Sequence, residues 1–373
     1  MIDHSSAPIR VGLIGYGYAG KTFHAPLVRA TPGLELLIVG SSRPERVRAD
    51  LPHIQVLSPA ETAIHPDLDL IVIASPNDSH FPLAAAAIRA GKHVVVDKPF
   101  TLDLAEAREL VALARQHNRI LSVFQNRRWD SEVLATKSMI QSGALGRITH
   151  FEAHMDRFRP LVRQRWREDP GPGAGLWFDL GPHLIDLTLH LFGLPDGVLA
   201  TFAALRPGGR TDDWAHVQFI YPHMRAILNA TLLSSGGIPR MLLHGTQASW
   251  AKYGTDPQEK KLVEGVILPG TPAFGDDPDP GILFDGATGQ RTEIPVPNAD
   301  QIGYYIGIRD AIRGTAPVPV SPESAIAVMA TLETTFASGK EGRVLPLPLT
   351  VEERSAYKTC EHPVSETIPE QPS

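Results

Sequence analysis

The sequence has little of what several classes of protein require. It contains one cysteine, Cys360, among 373 residues. An internal disulfide is therefore excluded, and a reducing, cytoplasmic location is expected. The 35 basic residues do not outnumber the 41 acidic ones, which disfavours nucleic acid as a partner because its phosphates need a basic surface. No apolar run approaches the roughly 18 residues of a membrane span, and no signal-peptide pattern opens the chain. We expect neither a nucleic-acid nor a membrane partner.

What the sequence does contain begins with a regular alternation. Short apolar runs alternate with helical stretches up to about residue 150, which is typical of a parallel sheet covered by helices on both faces. We therefore predict an α/β Rossmann domain, a doubly wound parallel sheet, over residues 1–148. Its predicted strands are 9–15, 34–40, 70–75, 93–96 and 120–125.

The pattern changes in the second half of the chain. Strand-like segments follow one another with few helices between them, which indicates an α+β domain with a mostly antiparallel sheet over residues 149–350. Residues 351–373 lose periodicity, and we predict that they form a disordered tail. The predicted strands are 149–155, 198–205, 216–220 and 225–232, and the predicted helices are 183–191, 301–312 and 323–336.

A glycine-rich motif closes the first predicted strand and opens a helix. In that context GxGxxG indicates a dinucleotide-binding loop, because the glycines permit a tight turn and close approach of a pyrophosphate to the backbone. The helix start then offers free N–H groups to the phosphates. The predicted cofactor-binding residues of this loop are Gly15, Tyr16, Gly17, Tyr18, Ala19 and Gly20.

The end of the second predicted strand bears on the choice of cofactor. An NAD site places Asp or Glu about 20 residues after the loop, to bind the ribose hydroxyls. This chain has Ser41, Ser42 and Arg43 there. Two hydroxyls and an arginine can bind a 2′-phosphate, and no carboxylate repels it. We predict NADP(H) as the cofactor, with NAD as the alternative.

Two further segments carry residues suited to hydride transfer from an alcohol. Lys98 ends a predicted parallel strand, where ligands bind in such sheets. His183 lies in DLGPHLID, and histidine can take a hydroxyl proton near neutral pH. Asp179 or Asp186 could orient the ring or bind a hydroxyl. Pro182 suits a first helical turn, which would place Asp179 just before the helix.

Two alternatives remain open for these residues. Asp179, His183, Asp186 and His190 could hold a metal ion for hydrolysis. That alternative leaves the glycine loop unexplained, and we predict no metal. If His183 is not the base, the next candidates are Tyr304 and Tyr305 on the predicted helix from residue 301.

Four motifs together resemble the glucose–fructose oxidoreductase and inositol dehydrogenase family, Gfo/Idh/MocA. They are GYGYAG, SPNDSH at 75–80, DKP at 97–99 and DLGPHLID at 179–186. The resemblance implies a Rossmann domain followed by a domain whose large open sheet mediates assembly into homodimers or homotetramers. It also implies oxidation or reduction of hydroxyl and keto groups of sugars, inositols and related polyols.

The resemblance implies roles for individual residues as well. Lys98, Asp179 and His183 would be the catalytic residues, with His183 as acid and base. Further cofactor contacts would come from Ser75, Pro76, Asn77, His80, Asp97, Lys98 and Pro99. The family usually has glutamate where this chain has Asp97. Segments 125–130 and 163–168 resemble NADP-dependent scyllo-inositol dehydrogenases, which would place Asn126 and Arg127 beside the nicotinamide and Arg157 and Trp166 near the substrate.

The predicted function is therefore an NADP(H)-dependent oxidoreductase acting on a sugar-like or cyclitol CH–OH group. A regulatory protein that senses a nucleotide on the same fold is the alternative. A sensor needs neither Lys98 nor His183, so the presence of both favours the enzyme. Turnover of a polyol with NADP distinguishes the two.

Overall fold

The N-terminal part of the chain forms the predicted parallel sheet. The computed structural model describes residues 7–361, apart from the side chain of Trp166. The strands of this sheet are β1 (Ile9–Ile14), β2 (Leu34–Gly40), β3 (Gln55–Leu57), β4 (Leu70–Ile73), β5 (His93–Val96) and β6 (Leu121–Val123). They lie in the order β3-β2-β1-β4-β5-β6, which is the Rossmann order. The helices are α1 (Ala25–Ala30), α2 (Pro44–Asp50), α3 (Pro59–Ala63), α4 (His80–Arg89), α5 (Leu104–Gln116) and α6 (Ser131–Gln141).

The central strands of this sheet are buried on both faces. Every residue of β4 is buried, and so is every residue of β5 except His93. Such uninterrupted apolar runs are what a sheet between two helical layers requires, and they made these strands predictable. Strand β3 was not predicted, because it has three residues at the sheet edge and none is fully buried.

The second sheet has eight strands, which follow one another in the chain after the Rossmann strands. They are β7 (Ile148–Asp156), β8 (Gly197–Ala203), β9 (Trp214–Ile220), β10 (Arg225–Thr231), β11 (Met241–Gly245), β12 (Ala248–Lys252), β13 (Gly281–Asp285) and β14 (Arg291–Ile294). Their order is β14-β13-β12-β11-β7-β10-β9-β8. Only β7 and β10 pair in parallel. The large, mostly antiparallel sheet is therefore confirmed.

The remaining helices are α7 (Leu176–Phe192), α8 (Gln258–Glu264), α9 (Ile302–Ile312), α10 (Pro322–Glu341) and α11 (Val351–Glu361). Phe151, Ala153 and Met155 of β7 are buried and belong to the same apolar core as α7 and α10. The alternate residues of β7 point to the other face of the sheet. Within the described residues, no helix is long and apolar enough to cross a membrane.

Helix α9 returns to the N-terminal domain after the second sheet is complete. Tyr304, Tyr305 and Ile308 are fully buried in the core formed by β1, β2 and α1. The Tyr304 hydroxyl donates to Ser122 Oγ at 3.0 Å. The core of the Rossmann domain thus includes residues far beyond 148, where the sequence pattern changes.

The predicted disordered tail is wrong for residues 351–361, which form α11. Tyr357 is 1% exposed, and its hydroxyl donates to the Leu189 carbonyl oxygen at 2.8 Å. Arg108 of α5 pairs with Glu353 at 2.7 Å. One buried aromatic and two ion pairs, the second between Arg128 and Glu361 at 2.7 Å, hold a helix that has too few apolar residues to show periodicity. Residues 362–373 of the predicted tail lie outside the described residues.

Candidate active site

The glycine loop leaves one open position between two crowded ones. Gly15 has φ +96°, and a Cβ there would lie 2.5 Å from the Ala74 carbonyl oxygen. A Cβ at Gly20 would lie 2.0 Å from the Gly15 carbonyl oxygen. At Gly17, by contrast, a Cβ would meet no atom of the described residues within 4 Å. The loop is therefore packed against the residues that directly follow β4 and is open at Gly17, which suits close approach of a pyrophosphate.

The helix after the loop starts early and contains an irregular turn. Tyr18 and Ala19 are already helical, and a π-helical segment, Gly20–His24, runs directly into α1. The Lys21 N–H donates to the Gly17 carbonyl oxygen at 3.0 Å. Tyr18 is 62% exposed. The start of this helix therefore lies open beside Gly17.

The predicted 2′-phosphate residues follow β2. The Arg43 backbone N–H donates to Ser41 Oγ at 3.0 Å, which forms a tight turn. The side chains of Ser42 and Arg43 are exposed. The Arg43 guanidinium forms no ion pair within the described residues. It is thus a cation in water at the strand end where an adenosine ribose would lie.

His80 ties two predicted cofactor loops together. It is 1% exposed. Its Nδ1 lies 2.9 Å from the Pro99 carbonyl oxygen, and its Nε2 lies 3.0 Å from the Ser75 carbonyl oxygen. Within the first of these loops, Asn77 is buried and Pro76 is exposed. His80 therefore lies beneath the loops and fixes their relative position.

Asp97 is held by buried neighbours. Its Oδ1 accepts a hydrogen bond from the Lys98 backbone N–H at 2.8 Å and lies 3.8 Å from His24 Nε2. Burial raises the pKa of Asp97, but His24 and Lys98 lower it more, so the pKa is below its usual value. The other ring nitrogen of His24 lies 2.5 Å from the Tyr305 hydroxyl. This places Tyr305 in the core, so neither it nor the equally buried Tyr304 is available as a base.

Lys98 and Asp179 meet across the two domains. The peptide bond between Lys98 and Pro99 is cis. Lys98 Nζ donates to Asp179 Oδ1 at 3.0 Å and to the Asp179 carbonyl oxygen at 2.8 Å. Two of the three ammonium hydrogens are thereby engaged, and one remains for a ligand.

Helix α7 starts seven residues before the expected helix start. It begins at Leu176, so Pro182 lies inside it and Asp179 is in its first turn. The expectation that Asp179 precedes the helix is wrong. The N–H of Trp177 donates to Asp212 Oδ2 at 2.7 Å, which caps the helix start from a distant loop. Asp179 and His183 consequently lie one turn apart on one face.

Asp179 remains ionised at neutral pH. Burial raises the pKa of its carboxyl group, but Lys98 and Arg167 lower it more, to about 2. Arg167 Nε lies 3.7 Å from Asp179 Oδ1. Asp179 is therefore a hydrogen-bond acceptor and not a proton donor.

His183 is neutral and has an unused ring nitrogen. It is 7% exposed, and its Nδ1 is buried with no hydrogen-bond partner in the described part of the chain. Burial lowers the pKa of His183 well below its usual value. Four cations lower it further, namely Lys98, Arg127, Arg240 and Arg157. A neutral imidazole with a free nitrogen can accept a proton.

The two residues predicted beside the nicotinamide have different surroundings. Asn126 is buried, and its Nδ2 donates to Gln301 Oε1 at 3.0 Å. Arg127 donates to Asp130 at 3.1 Å and also pairs with Glu259 of α8. Arg127 thus lies close enough to His183 to affect its pKa, while Asn126 supports the loop from within.

Glu259 was not predicted from the sequence. Besides binding Arg127, it accepts a hydrogen bond from the Tyr18 hydroxyl at 3.1 Å. This contact brings α8 of the second domain over the glycine loop. The segment around Glu259 carries no motif, so only the fold reveals it.

The two predicted substrate residues lie on the segment after β7. Arg157 directly follows β7 and feels the charge of Asp179. Trp166 is in a short 3₁₀ helix, Trp166–Glu168, but its side chain lies outside the described residues. Arg167, which follows it, reaches Asp179 and is a site residue that the sequence did not single out.

The metal alternative has no ligand set. Asp186 accepts two hydrogen bonds from Arg128, at 2.7 and 2.9 Å. His190 Nδ1 lies 3.7 Å from Glu361. Within residues 7–361, no three His, Cys, Asp or Glu side chains lie close enough together to hold a metal ion. Asp186 instead helps to neutralise a buried arginine.

Family profiles match both halves of the chain. The profile described as the oxidoreductase family with an NAD-binding Rossmann fold matches residues 9–125. The profile of the GFO/IDH/MocA C-terminal domain matches residues 133–251.

Similar proteins extend over nearly the whole chain. YdgJ of Escherichia coli, an uncharacterized oxidoreductase, is 49% identical and covers 91% of this chain and 99% of its own. IolW of Bacillus subtilis, scyllo-inositol 2-dehydrogenase (NADP(+)), is 36% identical and covers 91% and 96%. The crystal structure of an oxidoreductase-like protein from Klebsiella pneumoniae has a TM-score of 0.90 and 49% identity and covers 95% and 99%. The chain therefore belongs to the GFO/IDH/MocA family of oxidoreductases, and its N-terminal domain is an NAD(P)-binding Rossmann domain.

Proposed function

We propose that the protein is an NADP(H)-dependent oxidoreductase that acts on a CH–OH or keto group of a sugar, inositol or related polyol. The observation that carries the proposal is the group formed by a neutral, unpartnered His183 and the Lys98–Asp179 pair at the carboxyl end of the Rossmann sheet. The relative IolW, whose name specifies scyllo-inositol and NADP, supports the substrate class and the cofactor.

Each of the three residues has one task in this proposal. When bound, the nicotinamide supplies the hydride acceptor or donor. His183 takes the hydroxyl proton through its free nitrogen during oxidation and returns it during reduction. Lys98 directs its remaining N–H toward the reacting oxygen and stabilises negative charge there. Asp179, which stays ionised, accepts a hydrogen bond from a neighbouring hydroxyl and orients the ring.

The proposed preference for NADP rests on the residues after β2. Arg43 is exposed and without an ion pair among the described residues, and two serine hydroxyls precede it. A 2′-phosphate there gains a charge-assisted hydrogen bond, while NAD gains none. The glycine loop, open at Gly17, serves the pyrophosphate of either cofactor.

A cofactor titration and a substrate screen test this proposal. NADPH and NADH are titrated by fluorescence, and inositols, aldoses and ketoses are screened with both oxidised cofactors. We expect tighter binding of NADPH. Arg43→Ala should weaken NADPH binding roughly 10- to 100-fold, because a charged hydrogen bond contributes about 1.5–3 kcal/mol, and should leave NADH nearly unchanged. Arg89→Ala, an exposed arginine at the end of α4, is the matched control.

Three outcomes would contradict parts of the proposal. A native preference for NADH would contradict the choice of cofactor. Equal losses for both cofactors in Arg43→Ala would mean that the guanidinium stacks on the adenine. Cofactor binding without turnover of any polyol, neutral or acidic, would favour the nucleotide-sensing protein instead.

We also propose a cytoplasmic homodimer or homotetramer. The face of the eight-stranded sheet opposite α7 and α10 carries partly exposed Trp214, Gln218 and Ile220, which a second copy could cover. Light scattering at micromolar concentration tests this proposal, and a monomer would contradict it.

A further inference from the structure

Two arginines extend the inner face of β7 toward the site. Phe151, Ala153 and Met155 of β7 face the core that contains α7. Because side chains alternate along a strand, Arg157 and Arg159 continue the same face beyond the strand end. Helix α7, which carries Asp179 and His183, lies on that side of the sheet.

Backbone hydrogen bonds hold the segment of Arg157 and Arg159 in place beyond the end of β7. The N–H of Arg157 donates to the Thr231 carbonyl oxygen at 2.9 Å, and the N–H of Arg159 donates to the Leu232 carbonyl oxygen at 2.7 Å. Phe158, between them, points the other way and is 60% exposed. The backbone of the two arginines is therefore held by hydrogen bonds and does not belong to a free loop.

Neither of these guanidinium groups has a partner among the described residues. Other cations around His183 are neutralised: Lys98 by Asp179, Arg127 by Asp130 and Glu259, and Arg240 by Glu132. By contrast, the side chains of Arg157 and Arg159 form no hydrogen bond or ion pair with any described side chain or carbonyl.

Burial makes this lack of partners costly. Burial lowers the pKa of Arg157, and together with the charges of Arg127 and Arg240 it outweighs the opposite effect of Asp179 and Glu259. Burial also lowers the pKa of Arg159, as does its neighbour Arg157. Arginine nevertheless stays protonated in proteins. A partly desolvated cation that no carboxylate contacts directly destabilises a fold, and an anion bound there would relieve that cost.

The cofactor is the less suitable anion for these two groups. Its pyrophosphate has the glycine loop, and its 2′-phosphate has the residues after β2. Arg157 and Arg159 feel the charge of Asp179, the residue assigned to the substrate. Their planar forks match carboxylate and phosphate oxygens.

We propose that the substrate is an acidic sugar or cyclitol, whose carboxylate or phosphate group binds Arg157 and Arg159 while its reacting CH–OH lies at His183. This inference rests on the proposed function and narrows its substrate class from polyols in general to anionic ones. A carboxylate and a phosphate would be bound by the same forks, and the experiment separates them.

The test measures binding to the protein saturated with NADP, by isothermal titration calorimetry. D-Glucuronate and D-glucose 6-phosphate are each compared with D-glucose, and myo-inositol 1-phosphate is compared with myo-inositol. We expect at least one acid to bind 10-fold or more tightly than its neutral parent, because charge-assisted hydrogen bonds are the strong ones. A preference limited to glucuronate identifies a carboxylate, and one limited to the esters identifies a phosphate.

Variants then locate the anion. In the double variant Arg157→Gln/Arg159→Gln, the preference for the acid should fall roughly 10- to 100-fold. NADP affinity should not change. Arg210→Gln is the matched control, because Arg210 lies in a nearby loop and already pairs with Asp169 at 3.2 Å. It should keep the preference.

Several results would overturn the inference. If every acid binds no more tightly than its neutral parent, the substrate is uncharged, and turnover of a neutral polyol would leave the proposed function intact. If the double variant keeps the preference, the anion binds elsewhere. If the double variant instead loses NADP affinity, the arginines serve the cofactor. A native protein that does not bind NADP would overturn the proposed function and this inference together.

Discussion

Two histidines on opposite faces of the second domain show how much the neighbours of a side chain matter. His183 and His154 are equally buried, each 7% exposed. His183 lies among cations, and its pKa is well below the usual value. His154 lies between Glu152 Oε2 at 2.9 Å and Asp156 Oδ2 at 3.4 Å. Burial lowers the pKa of His154, but these carboxylates raise it more, to about 9.

At neutral pH one histidine is therefore uncharged and the other is a cation. Burial lowers the pKa of both histidines and is the largest single cause in each. The charges around them decide the difference: carboxylates outweigh burial at His154, whereas cations add to it at His183. This difference makes His183 suitable as a proton acceptor and His154 suitable as one member of an ion-pair group.

The largest expected effect separates the two histidines by turnover. With the polyol found in the screen, His183→Asn should lower kcat roughly 10²- to 10⁴-fold, because a positioned general base contributes about that much. NADPH affinity should stay native, since no cofactor contact is lost. His154→Asn should turn over at nearly the native rate. Steady-state kinetics and fluorescence titration measure both quantities.

This comparison would fail in one clear way. If His183→Asn kept the native kcat, another group would accept the proton. Tyr304 and Tyr305 are buried in the Rossmann core, so that group would have to be Lys98. Lys98→Met should in any case reduce both kcat and cofactor affinity.

The second prediction concerns the pH profile of polyol oxidation. His183 must be neutral to accept a proton, so kcat/KM should rise with pH as it deprotonates. Because its pKa is depressed, this rise should be complete below pH 6.5, the usual pKa of histidine. Arg157→Gln removes one of the depressing charges and should move the rise to higher pH. A rise centred above pH 7 in the native enzyme would contradict the described electrostatics.

The smallest expected effect is on the stability of the fold, and it tests whether His154 is charged. Its folded pKa of about 9 lies above the unfolded value of about 6.5. The stabilisation is therefore complete below pH 6.5 and is lost as pH rises through 9. We expect the free energy of unfolding to drop by about 1–3 kcal/mol across this window, given 1.36 kcal/mol for each pKa unit.

Urea denaturation at pH 6 and pH 9.5 measures this effect. His154→Gln should remove the pH-dependent part of the stability in that window. His183→Asn should still show this drop, because a histidine that is neutral in the fold contributes stability that rises with pH, in the opposite direction. An equal slope in His154→Gln and the native protein would mean that His154 is not charged in the fold.

The same two histidines show what the sequence could predict. The carboxylates around His154 lie two residues away on the same strand, so alternation alone places them on one face. The cations around His183 come from four separate segments. Lys98 was marked by a motif, Arg127 and Arg157 were indicated by the family resemblance, and Arg240 was not found. Arg240 and Glu259 carry no local signal, because their partners Glu132 and Arg127 are more than 100 residues away.

The elements of the fold also divide into those that local sequence predicts and those that depend on distant contacts. The central parallel strands and the glycine loop were predictable, since burial on both faces and close packing dictate their residues. Strands β11 to β14 were missed, because each has only four or five residues and the burial pattern differs from one to the next. Helix α11 was missed because Glu361 is stabilised by Arg128, 233 residues earlier in the chain. The sequence pattern of a segment predicts structure that is determined by packing within that segment. An ion pair between residues far apart in the chain leaves no such pattern.

The return of α9 to the first domain has a consequence for synthesis. Phe124 packs against the rings of Tyr304 and Tyr305 at centroid distances of 5.0 and 5.7 Å. Domains that lie first in a chain commonly fold while the rest is still being made. Here the core of the dinucleotide-binding domain is incomplete until helix α9 has been synthesised, up to residue 312. Its cofactor site is thus completed only after most of the substrate domain has been translated.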